Sequence, residues 1–118
     1  MERKEALKIV QEEAPELANL PAHFKKDKKI VLEAVKEYGG VLEFADKSFR
    51  KDKKIVLMAV KSNGYALKYA DKSFRKDKKI ALEAVKNNAD AFEWIDESLK
   101  KDADILKVAN ENKYKRIL

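Results

Sequence analysis

Apolar side chains recur along this chain at helical spacing, in blocks that are separated by polar and turn-forming residues. In residues 27–51 the apolar positions of the first block are Ile30, Val31, Leu32, Ala34 and Val35. The pattern predicts long helices over 6–13, 28–38, 53–63, 78–88 and 103–113, and short helices near 16–19, 41–46, 66–71 and 91–96. It also predicts a core that includes Leu57, Ala59, Val60, Leu67 and the ring of Tyr69.

The blocks repeat every 25 residues. Between 27–51 and 52–76, 18 of the 25 positions are identical. The units are 2–26, 27–51, 52–76, 77–101 and a partial copy at 102–118. A helical pair of this size cannot bury its apolar face alone, whereas stacked copies close each other's cores. We therefore expect one all-α domain over 1–118: a short solenoid of about four helix-turn-helix repeats and a closing C-terminal helix.

Each long helix has start and stop signals. An aspartate precedes the helix in every unit from the second onwards, where its carboxylate can accept the free N–H groups of the first turn; these are Asp27, Asp52, Asp77 and Asp102. Gly39 and Gly64 follow two of the helices, and we expect them to adopt the left-handed conformation that ends a helix. Asn88 is expected to take that role in the third copy.

The repeat resembles the domain-of-unknown-function 4116 family. The resemblance rests on residues 52–70, Ser73, Phe74 and Asp77, and it covers about 24–102 well. It implies tandem helical repeats that form an interaction module, and it carries no assigned activity. The sequence departs from the family pattern at the second position after each aspartate, which the family often makes acidic and which is lysine here: Lys29, Lys54 and Lys79.

Composition excludes several classes of function. The chain of 118 residues has no cysteine and one histidine, His23, so thiolate metal sites and most histidine-dependent catalysis lack their residues. The sequence contains no glycine-rich phosphate loop and no nucleophile elbow. The first ten residues are too charged for a signal peptide, and no apolar run approaches a membrane span. We expect a cytoplasmic protein that is not an enzyme and that uses no cofactor, no metal and no membrane.

The net charge of +6 is concentrated in one unit. Residues 52–76 carry seven Lys and Arg against two Asp, a balance of +5, while every other unit lies between −1 and +1. Several positions that are acidic or small in the neighbouring units are changed in this one. We predict an outward surface for a protein partner made of Met58, Lys61, Ser62, Tyr65, Lys68 and Lys72. Neutral drift between duplicated units is the alternative explanation.

Basic residues also cluster at each helix start, where they oppose the helix dipole at a cost of about 0.3–1 kcal/mol each. They would align along one edge of the stack as an anion-binding ridge of Lys28, Lys29, Lys53, Lys54, Lys78 and Lys79. A solvated edge without function is the plainer explanation. The aromatic residues Phe44, Tyr69 and Trp94 invite a nucleobase-stacking interpretation, but core packing explains them better, with the polar tips of Tyr69 and Trp94 at the edge.

The leading hypothesis is a non-enzymatic scaffold that binds a protein partner, for example by occluding the partner's active site. The alternative is nucleic-acid or polyanion binding through the ridge. Salt separates the two, because phosphate binding releases counterions and weakens steeply with salt.

Overall fold

The computed structural model describes the backbone of residues 1–117 and the side chains of residues 1–113. Its α-helices are α1 (Arg3–Glu12), α2 (Lys28–Glu37), α3 (Lys47–Arg50), α4 (Lys53–Ser62), α5 (Lys78–Asn87) and α6 (Ala103–Ile117). Its 3₁₀ helices are η1 (Ala14–Asn19), η2 (Ala22–Lys26), η3 (Gly39–Phe44), η4 (Gly64–Tyr69), η5 (Lys72–Lys76), η6 (Ala89–Trp94) and η7 (Glu97–Leu99). The described backbone contains no strand, and the predicted all-α repeat fold is confirmed.

The long helices α1, α2, α4, α5 and α6 stack in chain order, and η1, η3, η4 and η6 form a parallel second row. The stack measures 48 × 31 × 17 Å, so it is a flat slab with two broad faces. The core is a continuous layer between the rows, because the apolar stripe of each full unit is closed by the unit that follows it.

The predicted N-caps are confirmed. The Asp27 carboxylate accepts hydrogen bonds from the backbone N–H of Lys29 at 3.1 Å and of Ile30 at 3.4 Å. Asp52 and Asp102 each accept the same pair of hydrogen bonds, and Asp77 accepts one from the N–H of Ile80 at 3.2 Å. Each helix start is therefore fixed by a local signal that recurs with the period.

The predicted role of the glycines is wrong. Along the described backbone no residue has a positive φ, and Asn88 is extended, with φ −148° and ψ 112°. Gly39 and Gly64 instead begin 3₁₀ helices that lie against the next long helix. A Cβ on Gly64 would overlap the carbonyl oxygen of Ala84 and lie 3.0 Å from its carbonyl carbon. Glycine is required here by the close approach of two units and not by a left-handed turn.

Each of the four full units also holds a third helical segment that the periodicity did not predict. In the second, third and fourth units its N-cap is Asp46, Asp71 and Asp96, respectively. Asp71 accepts hydrogen bonds from the backbone N–H of Ser73 at 3.1 Å and from its hydroxyl at 2.7 Å. The N–H of Asp71 in turn donates to the carbonyl of Arg50 at 2.9 Å, which ties one unit to the previous one.

Two of the predicted core positions are not fully buried. Ala59, Val60 and Leu67 are buried as expected, whereas Leu57 and Tyr69 are half-buried. At 100° per residue, Leu57 lies beside the stripe formed by the buried positions of α4, so only one side of it meets the core.

Candidate binding face

The lysines at the first helical position form ion pairs between units. Lys53 Nζ lies 3.0 Å from the carboxylate of Asp77, Lys78 Nζ lies 3.1 Å from that of Asp102, and Lys28 Nζ lies 3.9 Å from that of Asp52. Arg3 begins the series with a contact of 2.6 Å to Asp27. The carboxylate that caps one helix thus receives a cation from the previous helix.

These pairs shift the ionisation of the caps. The hydrogen bond from Arg3 is the main reason that the pKa of Asp27 lies below its usual value, although slight burial opposes it. The backbone N–H of Ile105 and the ammonium of Lys78 lower the pKa of Asp102. For Asp77 burial is the largest effect and raises the pKa, but Lys53 and the backbone donors outweigh it, so the net direction is downward.

The ion pairs reduce the free positive charge of the predicted ridge. Lys53, Lys54, Lys78 and Lys79 are exposed, as expected. Three of the six ridge lysines nevertheless have a carboxylate partner, namely Lys28, Lys53 and Lys78. Among residues 1–113 no ion pair involves Lys29, Lys54 or Lys79, so these three carry the free positive charge of the edge. The inter-unit pairs also offset the unfavourable helix-dipole term.

The middle unit gathers aromatic rings around one lysine. The rings of Tyr65 and Trp94 meet edge to face with centroids 6.0 Å apart. Lys68 Nζ lies 5.3 Å from the Trp94 centroid, 5.6 Å from that of Tyr69 and 6.0 Å from that of Tyr65. The guanidinium carbon of Arg75 lies 5.4 Å from the Trp94 centroid. We call these five residues the aromatic–lysine cluster.

The cluster is held by contacts across two units. Arg75 Nη2 donates a hydrogen bond to the carbonyl of Lys68 at 3.1 Å, which fixes the guanidinium beside the indole. The indole nitrogen of Trp94 is shielded from solvent and meets no acceptor in the described part of the chain. The expectation that its polar tip reaches the edge is therefore wrong, because Arg75 and Lys68 cover the ring.

Lys68 is exposed and free of ion pairs among residues 1–113. A cation over several rings is stabilised by their negative faces, yet it keeps its charge available on the surface. Its counterparts in the units on either side are Glu43 and Glu93, which are also exposed. The charge along this row of the face therefore alternates between negative, positive and negative.

The six residues of the predicted partner surface are only partly outward. Lys61, Ser62, Lys68 and Lys72 are exposed, but Met58 and Tyr65 are half-buried. Met58 packs on the core, and Tyr65 leans on Trp94 of the next unit. The hydroxyl of Ser62 also accepts a hydrogen bond from the N–H of Gly39 at 3.0 Å, so this residue joins two units.

Lys72 lines a groove of about 410 Å³ that also includes Arg75 and Trp94 of the aromatic–lysine cluster. Its cations are Lys72, Arg75, Lys76 and Lys100, and Trp94 forms an apolar wall. Neither Arg75 nor Trp94 was among the six residues predicted for the partner surface. The helical spacing of Tyr65 and Lys68 was a usable signal, but nothing local indicated that Trp94 would join them.

The described residues show neither a metal site nor a membrane segment. No group of three or more potential ligand side chains lies together in that part of the chain. None of the helices searched is both long and apolar enough to cross a bilayer.

Four overlapping matches relate the chain to one family, described as Domain of unknown function (DUF4116), over residues 6–50, 27–75, 52–100 and 77–117. The chain belongs to this family. Each DUF4116 match spans nearly two consecutive units, and each begins about one unit after the previous match. The family pattern therefore includes the contact between neighbouring units. No curated protein and no solved structure matches the chain.

Proposed function

We propose that this DUF4116 chain is a non-enzymatic scaffold that binds another protein in the cytoplasm through the aromatic–lysine cluster. The observation that carries the proposal is the exposed, unpaired ammonium of Lys68 over the rings of Tyr65, Tyr69 and Trp94. Tyrosine, tryptophan and arginine are enriched at the energetic centres of protein interfaces, and the two aromatic residues give a large contact area with few rotatable bonds.

The charge pattern around Lys68 favours a compact protein partner over a phosphate backbone. A nucleic acid that followed the stack along this row would meet the carboxylates of Glu43 and Glu93 on either side of Lys68. A folded partner can present one carboxylate to Lys68 and place its own cations or polar groups beside the two glutamates. The broad face of the flat slab would cover a large area of such a partner. A contact of that size could occlude the partner's active site.

A second candidate function rests on Lys29, Lys54 and Lys79, which are exposed and free of ion pairs among residues 1–113. Their row would bind a polyanion at the helix starts. Binding of that kind should lose affinity steeply as salt rises, in proportion to the number of phosphates neutralised.

The test is capture of a partner from lysate of the source cell, with and without nuclease treatment, followed by an affinity measurement with the captured partner. Lys68→Glu should weaken binding at least tenfold, about 1.4 kcal/mol. Lys36→Glu is the matched control, since Lys36 is an exposed lysine in a different unit and should leave binding unchanged. Lys68→Glu is preferred to a change at Tyr65, whose half-buried ring also supports the fold.

Equal affinity of the Lys68→Glu variant and the native chain would place the interface elsewhere. Binding that survives Lys68→Glu, is lost on nuclease treatment and falls with Lys54→Glu would favour the polyanion function. Circular dichroism of each variant must match the native chain for the comparison to count.

A further inference from the structure

The third helical segments of the full units lie in a row of their own along the stack. The backbone N–H of each capping aspartate donates a hydrogen bond to a carbonyl near the end of the previous segment. These bonds run from Asp46 to Lys25 at 3.1 Å, from Asp71 to Arg50 at 2.9 Å and from Asp96 to Arg75 at 3.0 Å. Residues 21–26, 46–51, 71–76 and 96–101 are therefore joined in chain order, and we call them the third row.

The third row accounts for the whole net charge of the chain. Its 24 residues contain ten Lys and Arg against four Asp and Glu, a balance of +6. The other 94 residues carry 17 charges of each sign and are neutral in sum. Counted by repeat unit, the excess falls in 52–76, whereas counted by structural row it falls on one continuous series of segments.

The cations of the third row are accessible and mostly unpaired. Six of the ten are exposed, and the other four are half-buried. Among residues 1–113 the only ion pair within the row joins Lys100 to Glu97 at 3.2 Å. The remaining acids are the three caps, whose carboxylates each accept two hydrogen bonds from a serine of their own segment.

The caps offset only part of this positive charge. For each cap, the hydrogen bonds from the serine are the main reason that the pKa lies below its usual value. The lysine that ends the previous segment adds to the effect, and these lysines are Lys26, Lys51 and Lys76. The balance of +6 already includes the three caps and Glu97, so it is available to an outside anion.

An aromatic ring borders the third row. Trp94 forms the apolar wall of the groove of about 410 Å³ that also contains Lys72, Arg75 and Lys76. Its counterparts Phe44 and Tyr69 likewise stand two positions before a cap. Phe44 is 36% exposed, and Tyr69 and Trp94 are half-buried, so core packing does not account for all of the surface of these rings.

We propose that the third row binds a single-stranded nucleic acid, with phosphates beside the lysines and arginines and a base against Trp94. The proposal goes beyond both functions proposed above, since it depends neither on Lys68 nor on the lysines of the helix starts. Packed helices lie about 8–10 Å apart, so four segments present an extended track. A positively charged track with aromatic side chains beside it is typical of surfaces that bind single strands.

An unpaired strand fits this row better than an acidic peptide does. Carboxylates would use the cations but would leave the wall formed by Trp94 without a partner, whereas every base has a flat face for an aromatic ring. The row of 3₁₀ helices that holds Lys68 is interrupted by Glu43 and Glu93. In the third row, residues 21–96 contain only acids that act as caps.

Fluorescence anisotropy of a labelled oligothymidylate of about 16 nucleotides tests the proposal with the full chain. Lys47→Glu combined with Lys72→Glu should weaken binding at least tenfold at about 0.1 M salt. The slope of log affinity against log salt should become less steep by about 1.4, because two phosphate contacts at about 0.7 each are lost. Both lysines are exposed, and Glu97 occupies their position in the fourth unit, so glutamate is compatible with the fold there.

Lys8→Glu combined with Lys107→Glu is the matched control. It makes the same change in net charge at exposed lysines of α1 and α6, outside the third row. Affinity should stay within threefold of the native chain, and the salt slope should not change. Lys47→Gln combined with Lys72→Gln repeats the test without new negative charge and should lose at least threefold. Equal losses in the control and in the third-row variant would overturn the site, because net charge alone would then govern binding.

The base contact has its own test, because Trp94 is the only tryptophan in the sequence. Oligothymidylate should quench its fluorescence, and an abasic oligomer of the same length should bind at least threefold more weakly without quenching. Glu93 also lines the groove and has no ion pair among residues 1–113. Glu93→Gln should therefore raise the affinity for oligothymidylate at least twofold.

Equal affinity for oligothymidylate and for polyglutamate of the same charge would overturn the assignment to nucleic acid, and so would equal affinity for the abasic oligomer. Absence of binding at low salt would overturn the third row as a binding site. Loss of binding in Lys54→Glu with Lys79→Glu, but not in the third-row variant, would move the site to the helix starts. If Lys68→Glu abolishes capture of a protein partner and oligothymidylate does not bind, this proposal falls and the scaffold proposal stands.

Discussion

The close contact between η4 and α5 leads to a sharp prediction for Gly64→Ala. A Cβ at this position would overlap the carbonyl oxygen of Ala84 and lie 3.1 Å from the backbone nitrogen of Asn88. All of these are backbone atoms, so no side-chain rotation relieves the contact. The two units must move apart instead.

The expected loss in the free energy of unfolding follows from the contacts that this movement disrupts. Overpacking of a well-packed contact typically costs about 1–3 kcal/mol. The N–H of Gly64 also donates a hydrogen bond to Asn87 Oδ1 at 2.6 Å, and loss of such a bond costs about 0.5–1.5 kcal/mol. Alanine restricts the unfolded chain and returns about 0.4–1 kcal/mol, since the φ of Gly64 is not positive and suits alanine. We expect a net loss of about 2 kcal/mol in the free energy of unfolding.

Urea denaturation monitored by circular dichroism measures this loss, and Gly40→Ala is the matched control. A Cβ at Gly40 would meet only side chains, with the ring of Tyr38 nearest at 2.9 Å, and Tyr38 is 53% exposed and free to move. Gly40→Ala should therefore be neutral or slightly stabilising. If Gly64→Ala and Gly40→Ala had the same stability, the close approach would not be the reason for glycine at this position.

Two further predictions concern stability. Leu67→Ala should cost about 2–5 kcal/mol because Leu67 is fully buried, and Leu57→Ala should cost clearly less because Leu57 is half-buried; equal losses in urea denaturation would contradict the difference in packing. Hydrogen bonds from Ser73 and Ser98 hold the pKa values of Asp71 and Asp96 below the usual value, so their contribution is complete above the unfolded value of about 3.9 and is lost as pH falls through the lower folded values. The urea concentration at the unfolding midpoint, measured from pH 7 to pH 2, should decrease once the pH is below about 4. The decrease should be less steep in Asp71→Asn, and the same dependence on pH in both chains would contradict this role of the cap.

Much of the fold could be predicted from the sequence because its signals are local and periodic. An apolar stripe with helical spacing identifies each long helix, and an aspartate before Lys28 or Lys53 marks the start. The third helical segment of each unit was missed because it is too short for a hydrophobic period. Its aspartate cap, as at Asp71 with Ser73, was nevertheless present in the sequence.

The candidate site was only half predictable. Charge asymmetry selected Tyr65 and Lys68 without any knowledge of the structure. It could not show that Tyr65 leans on Trp94, or that Arg75 covers the same indole, because those contacts join residues of different units. The sequence pattern likewise placed Lys53 in the anion-binding ridge as an unpaired lysine. The carboxylate that pairs with it, that of Asp77, lies in the next unit.

Features that depend on neighbours along the chain are encoded locally: helix positions, caps, the 25-residue period and hence a stacked all-α fold. Features that depend on the distance between units arise only when the units pack together. That packing sets the environment of individual side chains. It gave Gly64 its role as a site of close approach, placed a lysine among three rings, and left Leu106 uncovered where its counterparts are buried. The physical reason is that periodicity fixes which face of a helix is apolar, while only the arrangement of the stack fixes what lies against that face.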